Sequence, residues 1–245
     1  MMRLVVLIGL IIVSAGFADA QTLPALQLVE SEGGTTYSLS LQILVLMTAL
    51  TVLPSLVLGM SAFTRIIIVL SILRQALGTQ QTPPNQVLIA LALFLTFFVM
   101  QPTLTVLYDD TVSPYLAEQI GADQALAQGA DVMKGWLVEN TRQNDLMMFS
   151  DMAGEGPYPS PKAVPFSVLL PAFMTSELKT AFQIGFLLFL PFLVIDMVIA
   201  SILMALGMMM LSPMLVSLPF KLLLFVLVDG WALTVGSLAA TYGGS

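Results

Sequence analysis

Residues 196–221 read DMVIASILMALGMMMLSPMLVSLPFK, and this stretch decides the fold. Asp196 and Lys221 stand at its ends, with no other charge between them. An ionisable group inside an apolar segment is costly, so it tends to pair or to line a cavity. If the two meet in an antiparallel hairpin, the turn falls midway, at Met208–Met209. The residues there are Gly207-Met208-Met209-Met210-Leu211-Ser212-Pro213, with a flexible residue before the turn and a helix breaker after it. Pairing and turn chemistry thus agree independently, and they predict a buried ion pair that sets hairpin register. The competing reading is two unrelated residues, each facing water or another chain.

Working outward, the apolar pattern upstream begins at Phe166 and, once a helix capped by Thr175 or Ser176 has started, runs on with Pro191 and Asp196 as interruptions. Such a helix, ending at Leu211, has about 36 residues and a length of about 54 Å. Downstream, Met214 to Ala240 forms the last hydrophobic segment, with Pro219, Lys221 and Asp229 inside it. Leu39–Met60 and Val87–Tyr108 are uncharged, and each matches a bilayer's thickness. Pro54 is expected to kink the first. Between them, Phe63–Leu77 is apolar but carries Arg65 and Arg74, and it stops at Gly78, a suitable residue just past a helix end. Gly78–Pro84 reads as a loop, and Asn85 as the cap of the next helix. The fold class is therefore all-α and membrane-associated, built from long broken helical hairpins with four predicted hydrophobic spans.

Composition agrees with this class. Of 245 residues, 58% are hydrophobic and only 9% charged, against about a quarter charged in a soluble domain. Histidine and cysteine are absent. That excludes disulfides, thiolate nucleophiles, Ser-His-Asp catalysis and zinc or haem sites built on His or Cys. The net charge of −7 excludes a nucleic-acid partner, which needs clustered Lys or Arg. No catalytic, cofactor-binding or metal-ligating residue is assigned, and the chain reads as a non-enzyme with membrane lipid around it.

Residues 1–20 resemble a secretory signal peptide: Arg3, an apolar run from Leu4 to Val13, and an Ala18-Asp19-Ala20 cleavage site. An uncleaved anchor is the alternative. Residues 21–38 are then extracytoplasmic, 39–108 form the first hairpin with its basic segment 63–77, and 176–245 form the second, with the Met-rich tip. Residues 109–175 make an acidic extracytoplasmic insert. Its nine acids (Asp109, Asp110, Glu118, Asp123, Asp131, Glu139, Asp145, Asp151, Glu155) outweigh Lys134, Arg142 and Lys162, so it holds most of the negative charge. Short amphipathic helices are expected there from Leu126, Val132, Met133, Trp136 and Leu137, with Ser113-Pro114 opening one and Gly154–Pro165 as loop. With the N-terminus outside, Arg65 and Arg74 fall on the cytoplasmic side, as the distribution of positive charge requires.

Met208–Met210 suit packing filler, the usual role of Met, or a deformable apolar ring if several copies surround an axis. Asp196 and Asp229 do not make an aspartyl-protease dyad, because the hairpin separates them by about 12 Å, where about 3 Å is needed. Pro54, Pro191 and Pro219 resemble the broken helices of transporters, yet inverted repeats are lacking, and proline kinks in packed helices are commoner.

Two stretches are specific: Pro171-Ala-Phe-Met-Thr-Ser-Glu-Leu-Lys-Thr-Ala-Phe-Gln-Ile-Gly-Phe186 and Pro219-Phe-Lys-Leu-Leu-Leu-Phe-Val-Leu-Val-Asp-Gly-Trp231. With Phe63–Leu70, Leu73–Gly78 and Pro83–Val87, they resemble the FliP family, export-gate proteins of flagellar type III secretion related to injectisome SctR proteins. The signature positions are Pro171, Phe173, Glu177, Phe182, Gly185, Pro219, Asp229, Gly230 and Trp231. The resemblance implies a non-enzymatic subunit that forms a homo-pentamer with FliQ-type and FliR-type partners. It implies a channel in the bacterial inner membrane, at the flagellar basal body, for unfolded flagellar subunits delivered by other export-apparatus proteins. It further implies a gasket at Met208, Met209 and Met210, a functional acid and base at Asp196 and Lys221, and an assembled protein lying largely on the periplasmic side. A stand-alone small-solute transporter or channel is the alternative.

Overall fold

The computed structural model describes residues 36–242 except Gln80, Pro157 and Met209, with side chains from residue 43 onward. The signal-peptide reading of 1–20 and most of the segment 21–38 lie outside the described residues. Two units are distinguished, residues 1–54 and 55–245. The first contributes most of helix α1, Thr36–Gly59, with Pro54 inside it at the boundary.

The second unit holds eight further α-helices among the described residues. They are α2 (Phe63–Ala76), α3 (Asn85–Leu107), α4 (Ser113–Leu116), α5 (Ala122–Glu139), α6 (Gln143–Ala153), α7 (Phe166–Ala205), α8 (Pro213–Leu227) and α9 (Gly230–Ala240). No strand occurs among the described residues, and the protein is an all-α membrane protein. Two helical stretches, Asn85–Leu116 and Phe166–Ala205, are long and apolar enough to cross a bilayer, or up to four if each bent helix pair counts as one span.

The core lies where α2 crosses α7. On α2, Ile66, Val69, Leu70, Leu73 and Ala76 are buried at helical spacing, so one stripe faces inward. On α7, Leu169, Ala172, Phe173, Ser176, Glu177, Ala181 and Gly185 form the matching stripe. Leu88 and Ala92 of α3, Trp136 and Leu137 of α5 and Leu238 of α9 close over it. Gly185 is required by this crossing: a Cβ there would sit 2.4 Å from Ile72 Cδ1.

Several local expectations change. α7 does not begin at Thr175 or Ser176 but at Phe166, behind Pro165, and it ends at Ala205 rather than Leu211. Its 40 residues make a rod about 60 Å long. Ser176 is freed from capping its own helix. Its hydroxyl instead accepts the Arg142 N–H at 3.0 Å, at the start of α6. Asn85 caps nothing, because Pro84 holds the N-cap position, and the side-chain Oδ1 of Asn85 accepts a 2.6 Å hydrogen bond from Arg74. Pro114 does stand in the first turn of α4, but Ser113 does not cap it and no break separates it from α3. The chain runs through Tyr108–Val112 as a π-helical turn into α4, and this widening stands just before Pro114, which has no N–H to give. The boundaries placed at 109 and 175 thus fall within continuous helical runs. Leu126 points outward, 73% exposed, whereas Trp136 and Leu137 are buried as the helical pattern requires.

Other local readings match the structure. Gly78 adopts φ +77° past the end of α2, where its N–H reaches the Gln75 carbonyl at 3.0 Å. Pro213 starts α8. The last hydrophobic segment is bent by 63° between α8 and α9. Asp229 takes a left-handed conformation at the bend, and a Cβ on Gly230 would lie 2.2 Å from the Phe225 ring.

Replacing Gly185 with Val should lower stability by about 1–3 kcal/mol through overpacking. Thermal unfolding of the detergent-extracted protein measures this. Adding Ile72→Ala should recover part of the loss, because it removes the atoms that clash.

Candidate functional site

Polar side chains inside the apolar body gather in three places. The first is the α7–α8 hairpin. Lys221 Nζ lies 2.6 Å from Asp196 Oδ2, and the Ser217 hydroxyl donates to Asp196 Oδ1 at 2.5 Å. Ser217 and Lys221 are four residues apart on α8, so both point at the same carboxylate. Lys221 also donates to the Ala76 carbonyl at 3.1 Å. Ala76 is the last residue of α2, where carbonyls lack helical partners and the dipole is negative. One buried ammonium, 2% exposed, therefore joins Asp196 to the end of α2. Both Asp196 oxygens are thus engaged within the hairpin.

The second is the α2–α7 crossing. Arg65 grips Glu177 through two nitrogens, Nε to Oε2 at 3.0 Å and Nη2 to Oε1. Its third nitrogen donates to the Thr241 hydroxyl at 3.0 Å. The Tyr242 hydroxyl lies 2.5 Å from Glu177 Oε2, and its ring centroid is 3.9 Å from the guanidinium carbon. Arg65 was read as a cytoplasm-facing base. Its side chain instead points into the protein, because α2 turns that face onto α7, and a carboxylate at 0% exposure waits there. Arg74 reaches Asn85 and the Pro83 carbonyl, so it ties the loop after α2.

The third is a polar stripe on α7 that receives the insert. Ser176, Lys179 and Gln183 lie three and four residues apart. They contact the Arg142 N–H, the Asp145 carboxylate and the Arg142 guanidinium in turn. Asp145 is buried, while Lys179 is half exposed. The insert is thus docked by side chains that hydropathy treats as interruptions.

The remaining sequence-derived residues are placed as follows. Met208 is exposed and Met210 fully so, at the tip after Gly207, which has φ +70°. Met209 lies outside the described residues. Phe173 is in the core, Phe182 faces outward, and Pro171 and Pro219 sit inside α7 and α8. Trp231 meets Phe225 edge-on at 5.5 Å, and Phe225 in turn approaches Phe192 at 6.5 Å. Among the described residues, no group of three or more His, Cys, Asp or Glu could hold a metal.

Buried charges matched by hydroxyls across packed helices make a scaffold, and comparison with known proteins gives it a family. The FliP family profile matches residues 46–238. The chain belongs to the FliP family. It is 81% identical over 221 residues to the flagellar biosynthetic protein FliP of Cereibacter sphaeroides, covering 90% of this chain and 73% of that one. Identity is 57% over 210 residues with the protein of that name from Pectobacterium carotovorum subsp. carotovorum, covering 86% of this chain and 81% of that one. It is 50% over 205 residues with that of Bacillus subtilis (strain 168), covering 84% and 93%.

Ser217, Thr241 and Tyr242 were not singled out from the sequence. Ser217 was legible, since it stands one helical turn before Lys221. Thr241 and Tyr242 follow the last apolar helix, where nothing in the sequence pattern points back to residue 65.

Lys221→Met should destabilise the protein by about 3 kcal/mol, since it leaves Asp196 unpaired. Exchanging the two residues should restore only part of this, because Asp at 221 meets the Ala76 carbonyl. Denaturant unfolding of the single and exchanged variants checks both points; full recovery in the exchange would show that the α2 contact contributes nothing.

Proposed function

We propose that this chain is a core subunit of the flagellar type III export gate and helps form the channel through which unfolded flagellar subunits cross the inner membrane. Membership of the FliP family supports this reading. So does one feature of the fold: a long hairpin whose charges are neutralised internally and whose tip offers exposed methionines. The hairpin's body is unfit for water. Phe182, Phe186, Leu187, Val226 and Leu227 all lie on the surface of the single chain. Surfaces of that kind need lipid or neighbouring subunits. A ring of five such chains with FliQ-type and FliR-type partners would cover them, and it would set the Met208–Met210 tips around one axis. Flexible thioether side chains could close there around nothing and yield to a passing polypeptide.

On this reading the work is steric rather than catalytic. The assembled gate stands largely on the periplasmic side of the inner membrane at the basal body, with the acidic insert outside. The other reading, a transporter acting alone, is separated by extraction in a mild detergent. A complex containing several copies and two other small hydrophobic proteins supports the gate, whereas transport by the isolated monomer defeats it.

Replacing Met208, Met209 and Met210 with Ala should leave assembly intact and make cells permeable to ions and small solutes. Dye uptake and ion efflux measure this. Native permeability together with native secretion counts against a seal at the tip.

A further inference from the structure

The Arg65–Glu177 pair is not finished by the two helices that bring it together. A guanidinium offers five N–H groups and a carboxylate about four acceptor positions, so a single bidentate contact leaves several polar positions unmet in a dry interior. Residues just past α9 supply the rest. Thr241 accepts from Arg65 Nη1 at its hydroxyl, 3.0 Å away, and that hydroxyl in turn donates to the Leu238 carbonyl at 2.7 Å. Tyr242 caps Glu177 through its hydroxyl at 2.5 Å and lies over the guanidinium with its ring. Burial, followed by the neighbouring Glu177 charge, pushes the phenol up from its ordinary range, so Tyr242 keeps its proton and donates. The opposite side of the network carries a further contact: the Tyr242 ring stacks on Trp136 of α5, with centroids 5.7 Å apart and planes 15° from parallel.

One side chain therefore touches three separate parts of the fold. They are the first hairpin through Arg65, and Ala62, whose carbonyl is 3.3 Å from the hydroxyl; the second hairpin through Glu177; and the acidic insert through Trp136. The insert's polar ties to α7 are made by α6, while α5 meets α7 through apolar packing and through Lys134 over the Phe166 ring. Trp136 stands on α5, and this stack ties that helix to the charged centre. We propose that Tyr242 is a clasp that fastens helix α5 of the insert to the paired charges at the α2–α7 crossing. The insert's orientation is thus set from inside the apolar body, by a residue that lies just past α9 and outside the insert.

Trypsin distinguishes a clasp from general stabilisation. Lys134 lies within α5, two residues from Trp136, and Arg74 lies in the last turn of α2. Cleavage inside a helix requires local opening, and its rate follows the population of the open form when closing is fast. The full chain is digested in its native complex, extracted in mild detergent. Tyr242→Ala should speed cleavage after Lys134 by about tenfold while cleavage after Arg74 changes less than about twofold. Tyr242→Phe keeps the ring and loses only the hydroxyl, so it should speed Lys134 cleavage by about two- to threefold. This variant carries the test if the alanine protein fails to accumulate. Unchanged Lys134 cleavage in the variants recovered overturns the clasp, and so does an equal rise at both sites, which would mean a general loosening.

Discussion

Taking a carboxylate and a guanidinium out of water costs several kcal/mol per ion even after the surroundings relax. Arg65 and Glu177 meet that cost at the centre of the α2–α7 crossing, with no exposure for Glu177. Only good geometry and full hydrogen bonding make such a pair tolerable. The fork of Arg65 fits the carboxylate, and Thr241 and Tyr242 take up what remains. This fixes more than one contact. Helix α2 must present Arg65 at the same depth as Glu177 on α7, so the two helices cannot slide past each other. Gly185 then has to stay small beneath Ile72 further along the same crossing. The Lys221–Asp196 pair extends the arrangement, because its ammonium also holds the end of α2.

These charges explain how so hydrophobic a chain acquires a defined shape. Apolar contacts do not by themselves choose one register among many, since lipid is as good a neighbour for Leu as another Leu is. Paired ions and hydroxyls do choose. Each of the three polar groups of the second unit joins elements far apart in sequence: α2 with α7, α8 with both, and α6 with α7. The outward faces, rich in Phe and Leu, remain free to meet lipid or other subunits.

The hydrophobic pattern and the position of breakers made much of this readable. The α7–α8 hairpin, its turn near Met208 and the meeting of Asp196 with Lys221 followed from a symmetry of spacing and from Gly207 and Pro213. Gly78 marked the end of α2 for a stated conformational reason. Helix starts were harder. Thr175, Ser176, Asn85 and Ser113 all have side chains suited to capping, yet prolines at 84 and 165 or a π turn decide those starts, and the polar side chains serve other helices. Sidedness rules described Arg65 by its charge alone. Its partner stands 112 residues away, and no local pattern reports a contact of that separation. Tyr242 was invisible for the same reason.

The numbering of the central cluster also gives an order of events. A ribosome makes Ala62 and Arg65 first, then Trp136, then Glu177, and Tyr242 after all of them. During synthesis the guanidinium and carboxylate can find each other before the phenol exists to cover them. Until residues 241 and 242 are made, the groups that complete the hydrogen bonding of Arg65 and Glu177 do not yet exist, and they come from just past the last helix. A chain without Thr241 and Tyr242 would therefore differ from this one at its most deeply buried carboxylate.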